Sequence, residues 1–273
     1  MPPFAKRSLG QNFLVDPNII RKIASAINAQ PDEKILEIGP GHGALTALLL
    51  QSGARLSAIE LDSILAAKLK AQYARNQNFF LYEGDALKSS WQPFLPLSQI
   101  VGNLPYNIAS QLILKFFQNS QMIHRAVFMV QKDFADRLFS EAGSKVYGIV
   151  SVYFQLYAKG KILLKIPPSV FRPRPKVDSA LIELRPNKEL PLPNGDLLLF
   201  HSLVRLAFNQ RRKTLRNSLK RYYNAELADS FPWEKRPESL ALEDFLKLFS
   251  LLKESIISDC ELKPGELPPN LIF

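Results

Sequence analysis

Short apolar runs and longer amphipathic stretches alternate along the first 185 residues of this chain. KILEIG (34–39) is a compact apolar run ending at a glycine-rich turn, and RLSAIE (55–60), FFLYEGD (79–85), QIVGN (99–103) and RAVFMVQ (125–131) repeat its character. Each reads as a strand. Between them, ALTALLLQSG (44–53), closed by Gly53, SILAAKLKAQYAR (63–75) and SQLILKFFQ (110–118) read as helices. This alternation predicts parallel β-α-β units and an α/β fold with a doubly wound sheet. YGIVSVYFQLYA (147–158) and SALIELRP (179–186), joined by the proline-rich PPSVFRPRPKVD (167–178), are expected to finish the sheet as a hairpin. NKELPLPNGD (187–196) has the composition of a linker. A helical segment from about 197 to 255 and a Pro-containing tail follow. The expected domains are residues 1–186, carrying the sheet, and residues 187–273, small and helical.

Composition narrows the class. Of 273 residues, 47% are hydrophobic, enough for a packed core and against global disorder. No run approaches the roughly 18 apolar residues of a membrane-spanning helix, and MPPFAKRSLGQNF has no apolar stretch suited to a signal peptide. The single cysteine, Cys260, excludes an intrachain disulfide framework. With only three histidines beside it, no metal site is expected. The simplest reading is a reduced cytoplasmic protein without a membrane partner.

Charge adds a further element. The net charge is +10, and RLAFNQRRKTLRNSLKR (205–221) carries seven positive residues and no acid. The rest of residues 187–273 is net negative. A charge run of this kind can be a solvated helix face, or a grip on a polyanion such as nucleic acid.

The chemistry-bearing residues fall at consecutive strand ends. In EIGPGHGALT (37–46), glycines at 39, 41 and 43 allow a sharp turn and close approach of a ligand to backbone. Glu60, at the end of the second strand, stands where a carboxylate accepts from ribose hydroxyls, and Asp85 follows the third. Together these point to a nucleotide or nucleoside. The glycines alone also fit a dinucleotide. Glu37, before the turn, suits a cationic methionyl group better than a diphosphate.

The fourth strand ends in Asn103-Leu104-Pro105-Tyr106. An exocyclic aromatic amine is hard to methylate because its lone pair is delocalised into the ring. The Asn103 side-chain oxygen and the Leu104 carbonyl can accept the amine's hydrogens and draw nitrogen toward a tetrahedral geometry. Pro105 restrains the turn, and Tyr106 offers a face to a flipped-out adenine.

KRSLGQNFL (6–14), EIGPGHGALT, GDAL, VGNLPYNI, VFMVQKDFADRL (127–138) and FRPRPKVDSALI (171–182) make the chain resemble the ribosomal RNA adenine dimethyltransferases over nearly its whole length. Its best match is the bacterial small-subunit branch (KsgA, or RsmA), which the basic QRRKTLRNSL (210–219) also fits. The resemblance implies a Rossmann-like class I methyltransferase domain followed by a small helical domain. It implies S-adenosylmethionine as methyl donor, and as product N6,N6-dimethyladenosine at two adjacent adenosines near the 3′ end of 16S rRNA, within an immature small ribosomal subunit. By the same resemblance Asn12, Leu14, Gly39, Glu60, Asp85 and Asn103 bind the cofactor. Asn103, Leu104, Pro105 and Tyr106 hold the target base, with Phe171 as a second aromatic wall. Arg211, Arg212, Lys213 and Arg216 are expected on RNA phosphates, with Lys6 and Arg7 adding to that path, and the enzyme is expected to be monomeric. The nearest rival is a large-subunit (23S) rRNA methyltransferase of the macrolide-resistance type. A non-catalytic RNA-binding assembly or transcription factor on the same fold is a second rival. An NAD-dependent oxidoreductase would leave Asn-Leu-Pro-Tyr and the basic segment without a purpose.

Overall fold

Each apolar run that ends in a polar or glycine-containing turn is a parallel strand of one sheet. The computed structural model describes residues 10–210 and 212–259. In chain order its first elements are β1 (Phe13–Leu14), α1 (Pro17–Ile27), β2 (Lys34–Ile38), α2 (Ala44–Gln51), β3 (Arg55–Glu60), α3 (Ser63–Gln72), β4 (Phe79–Glu83), β5 (Leu97–Asn103), α4 (Ala109–Gln118) and β6 (Ile123–Gln131). The chain continues through α5 (Lys132–Leu138), α6 (Ile149–Tyr157), β7 (Ala158–Ile166), β8 (Phe171–Arg172) and β9 (Ser179–Pro186). It then forms α7 (Leu197–Phe208), α8 (Leu215–Ser218) and α9 (Leu242–Asp259).

The seven-stranded sheet has the order β4-β3-β2-β5-β6-β9-β7, and β1 pairs with β8 apart from it. The first five strands of that order are parallel, while β9 runs antiparallel to both β6 and β7. Registers keep the carboxyl ends level: Ile38 pairs with Ile59 and with Gly102, and Glu60 with Glu83. One face is covered by α1 and α2, whose Ile23, Ile27 and Leu49 pack on Ile35, Leu56, Val101 and Val127. On the same face, Ala66 and Leu69 of α3 pack on Ala58 and Leu81. The opposite face carries α4, with the Phe116 ring edge-on to Phe128 at 6.1 Å. Gly102 lies in a tight part of the sheet, because a Cβ there would come 2.6 Å from the Ile38 carbonyl oxygen.

Helix α1 lies outside the expected alternation, yet its signal is local. Asp16 accepts from the Asn18 and Ile19 amides, and Pro17 occupies the first turn. Asp62 caps α3 in the same way.

Three expectations are corrected. Residues 147–158 are not the first arm of a hairpin: 149–157 form helix α6, and the antiparallel partner of β9 is β7. Val150, Val152, Tyr153, Phe154, Leu156 and Tyr157 are all buried, so this helix is apolar nearly all round, a pattern that periodicity cannot separate from a buried strand. Nor is 197–255 continuous helix: α7 and α8 are short, and turns separate them from α9. Finally, contacts divide the chain at three places and not only at 186. Residues up to 135 and 158–186 form one unit, while 136–157 and the residues from 187 form the other.

The second unit has its own aromatic core. Phe200 meets Phe249 edge-on at 5.7 Å, and Phe208 stacks on Phe245 at 5.8 Å. His201 is held between two tyrosines, with the Tyr157 hydroxyl 3.0 Å from Nε2 and the Tyr153 hydroxyl donating to its carbonyl at 3.1 Å. Burial pushes the His201 imidazole down to about 4, so it is neutral at physiological pH.

Candidate active site

The sheet reverses its direction of winding between β2 and β5, and the loops leaving those neighbours diverge. A crevice opens there, as such switch points require. Its lining gathers Gly39, Glu60, Asp85 and the Asn103–Tyr106 turn from four consecutive strand ends. The segment Gly10–Leu14 lines the same cleft, so Asn12 and Leu14 join the group that the sequence singled out.

Gly39 has φ +66°, and nothing lies within 4 Å of where its Cβ would be. Bare backbone therefore faces the cleft. Glu60 is oriented by two backbone donors: the Gly41 amide reaches Oε2 at 3.0 Å and the Asp62 amide reaches Oε1 at 2.9 Å. Each oxygen keeps a lone pair, which suits the two hydroxyls of a ribose. Burial holds this carboxyl above its ordinary range. Asp85 receives the Leu87 amide on Oδ1 at 2.9 Å, leaving Oδ2 for a ligand.

Below the glycine turn lies Glu37, only 2% exposed, accepting from the Thr46 hydroxyl at 2.7 Å. Burial pushes its carboxyl up to about 7; the Thr46 bond opposes this and the negative Glu60 adds to it. The cleft thus carries two buried acids and no buried base, which favours a cationic ligand. A bare glycine, a ribose-type acceptor and an acceptor for an amine fit S-adenosylmethionine. Among the described residues no cluster of His, Cys, Asp and Glu could hold a metal ion.

The acceptor turn is fixed on several sides. The Leu104 amide donates to the Met129 carbonyl at 3.0 Å, and the Pro105 carbonyl accepts from the Ile108 amide at 3.1 Å. The Asn103 Nδ2 donates to the Asn12 carbonyl at 2.9 Å, which leaves Oδ1 as the free acceptor. The Tyr106 hydroxyl is hydrogen-bonded to Ser179 Oγ at 2.6 Å, anchoring the ring at the cleft wall. Asn12 thus contributes its backbone oxygen, while its side chain turns to the Gly10 carbonyl. Phe13 covers the glycine turn, its ring 4.3 Å from that of His42.

Phe171 departs from expectation. It is fully buried, paired with Leu14 across β1 and β8, and packed among Ile23, Ile27, Met129 and Leu181. It is not part of the cleft lining, so in this arrangement it offers no face to a base. Strand pairing turns the ring into the core.

Of the expected RNA-binding residues, Arg212, Lys213 and Arg216 belong to the second unit. Arg212 and Lys213 are exposed in the turn between α7 and α8. Arg216, on α8, lies 3.4 Å from Glu234 Oε1 with its guanidinium over the Tyr223 ring at 4.9 Å. Arg211, like Lys6, Arg7 and Cys260, lies outside the described residues.

Residues 4–254 match the family model described as ribosomal RNA adenine dimethylase. The chain is 42% identical over 260 residues to the ribosomal RNA small subunit methyltransferase A of Pseudomonas syringae pv. tomato, spanning 93% of this chain and 97% of that one. It is equally 42% identical to the enzyme of the same name from Chlorobium chlorochromatii, across 91% and 94%. Among solved structures, a dimethyladenosine transferase from Plasmodium falciparum superposes with TM-score 0.73 at 31% identity, over 89% of this chain and 98% of that one. The 23S rRNA methyltransferase ErmE superposes with TM-score 0.68 at 28% identity, over 88% and 99%.

Proposed function

The chain belongs to the ribosomal RNA adenine dimethylase family, and from that premise we propose that it dimethylates two adjacent adenosines near the 3′ end of 16S rRNA at N6, using S-adenosylmethionine. It is a methyltransferase of the Rossmann-like class I fold, acting in small-subunit biogenesis. The observation that carries the reading is the orientation of Asn103, whose side-chain nitrogen donates to the Asn12 carbonyl while Oδ1 stays an acceptor.

S-adenosylmethionine, when bound, supplies an electrophilic methyl on a sulfonium. Gly39, Glu60 and Asp85 would hold it at the methionyl, ribose and adenine ends, with Asn12, Leu14 and Asn103 alongside. The chain's own work lies on the amine. Asn103 Oδ1 and the Leu104 carbonyl accept its two hydrogens and hold the lone pair out of ring conjugation, in line for attack. Pro105 fixes the Leu104 carbonyl, and Tyr106, tied to Ser179, stacks on the base. No strong general base is needed, because the alkylated nitrogen sheds its proton readily. A monomethylated amine has one hydrogen left, so the second transfer uses one of the two acceptors.

Arg211, Arg212, Lys213 and Arg216, with Lys6 and Arg7, would grip rRNA phosphates, contacts that add affinity without reading sequence. The partner is 16S rRNA within an immature small subunit, met by a monomeric cytoplasmic enzyme.

The test supplies labelled S-adenosylmethionine with immature small subunits or with naked large-subunit rRNA. The expected result is N6,N6-dimethyladenosine in the small-subunit RNA alone. Label confined to large-subunit rRNA would assign the chain to the 23S-type reading, and no transfer to either would leave an RNA-binding role.

A further inference from the structure

Lys115 is a cation that the reaction itself does not use. It projects from α4, and its ammonium donates to three carbonyl oxygens of a single turn: Ala86 at 3.0 Å, Leu87 at 2.7 Å and Ser89 at 2.5 Å. A lysine has three N–H donors, and this turn takes all of them. Trp91, buried, closes the arrangement. Its indole N–H donates to the Ala86 carbonyl at 3.1 Å, and its ring centre lies 5.3 Å from the ammonium. Burial lowers the Lys115 ammonium from its ordinary range, and the nearby Asp85 carboxylate opposes that.

Asp85 and Ala86, at the head of this turn, line the cleft. The Asp85 carbonyl accepts from the Lys88 and Ser89 amides at 3.0 and 2.8 Å, and from the Ser89 hydroxyl at 2.7 Å. The carboxylate's direction is therefore set by how the turn is folded. To these local bonds α4 adds one side chain, Lys115, which ties three carbonyls of the turn to the helix. The same helix begins at Ala109, directly after the acceptor turn at 103–107. One rigid element thus carries the acceptor turn at its start and the clamp two turns further on.

We propose that Lys115 is a positioning residue for cofactor recognition: it folds the 85–91 turn so that Asp85 accepts from the adenine amine, and it fixes that turn relative to Asn103 and Leu104. The proposal rests on the assignment of Asp85 to the cofactor's adenine. Three aligned carbonyls without their cation repel one another and draw in water, and the carboxylate loses its fixed direction. Binding should weaken, and discrimination for the amine should fall with it.

The test is calorimetric binding of S-adenosylhomocysteine and of its hypoxanthine counterpart, S-inosylhomocysteine, to the full chain without RNA. The inosyl compound carries an oxygen where the adenosyl compound carries the amine. The wild-type protein should prefer the adenosyl compound strongly, since a site built to accept from an amine rejects a partner that lacks it. Lys115→Met should reduce that preference at least tenfold, and Lys115→Gln, which keeps donors without charge, by less. A purely structural role would weaken both ligands equally. A folded variant with an unchanged preference overturns the proposal, and Lys115→Gln supplies the measurement if Lys115→Met does not fold. Asp85→Asn separates the premise: if it too leaves the preference unchanged, the adenine assignment fails. If it abolishes the preference while both Lys115 variants keep it, only the role of Lys115 fails.

Discussion

Asn103 and Asn12, 91 residues apart in sequence, are joined by a 2.9 Å hydrogen bond from the Asn103 side-chain amide to the Asn12 carbonyl. One residue therefore both presents the oxygen that the proposed function sets on the target amine and holds the segment that lines the cleft. Asn103→Ala should lower the methyl-transfer rate by about 10²–10³-fold, as loss of a preorganised polar group does. Cofactor affinity should fall only several-fold, for the loss of roughly one hydrogen bond. Asn103→Asp sets an oxygen against the Asn12 carbonyl and should weaken cofactor binding more than Ala does. Single-turnover transfer and calorimetry with S-adenosylhomocysteine separate the two effects.

The buried Glu37 makes donor binding pH-dependent. Its carboxyl is raised to about 7, so the folded, ligand-free protein holds a proton there that the unfolded chain releases at lower pH. Its contribution to stability is present below pH 4.5 and is lost as pH rises through 7. A cationic ligand reverses the preference and expels the proton. Affinity for S-adenosylmethionine should therefore rise between pH 5.5 and 7, by at most about tenfold per unit, and level off above. Glu37→Gln should flatten the profile. Calorimetry in buffers of different ionisation enthalpy counts the proton released.

Gly102 meets a backbone atom, which cannot step aside as a side chain can. Its missing Cβ would stand 2.6 Å from the Ile38 carbonyl oxygen, so Gly102→Ala must spread β2 from β5 beneath the acceptor turn. A cost of about 1–3 kcal/mol is expected, read as a drop of several degrees in melting temperature. Gly195→Ala, with nothing within 4 Å of the new carbon, is the control and should be near neutral.

Arg212 and Lys213 are exposed, whereas Arg216 already pairs with Glu234 and covers Tyr223. Neutralising the first two should weaken RNA binding in low salt. It should reduce the slope of log affinity against log salt by roughly 1.4–1.8. Arg216→Ala should instead lower the stability of the second unit as well as RNA affinity. A salt titration of rRNA binding, paired with thermal melts, distinguishes the two behaviours.

The sheet and most of the cleft are legible in the sequence because each strand carries its own stop signal. Glu60, Asp85 and Asn103 are polar residues at the ends of apolar runs, and a parallel sheet brings such ends to one edge whatever surrounds them. Phe171 is misread because an aromatic residue in a proline-rich segment has the same pattern whether it faces a ligand or the core. Only its pairing with Leu14 decides. Helix α6 is misread because an element buried on all sides loses the polar face that reveals its period. Lys115 gives no sequence signal at all: its three partners are backbone carbonyls, and the identities of Ala86, Leu87 and Ser89 say nothing about where those oxygens point.

The interleaving of the two units bears on how the protein can be divided. Residues 136–157 belong with the residues from 187, although the strands β7, β8 and β9 lie between them in the chain. A deletion beginning at 187 therefore does not release an intact sheet domain. It strips the aromatic partners from Tyr147, Tyr153 and Tyr157, which meet Phe208 and His201 in the whole protein. On a translating ribosome the same arrangement imposes a wait: α6 is synthesised long before the helices that cover it, and its apolar surface stays bare until they emerge.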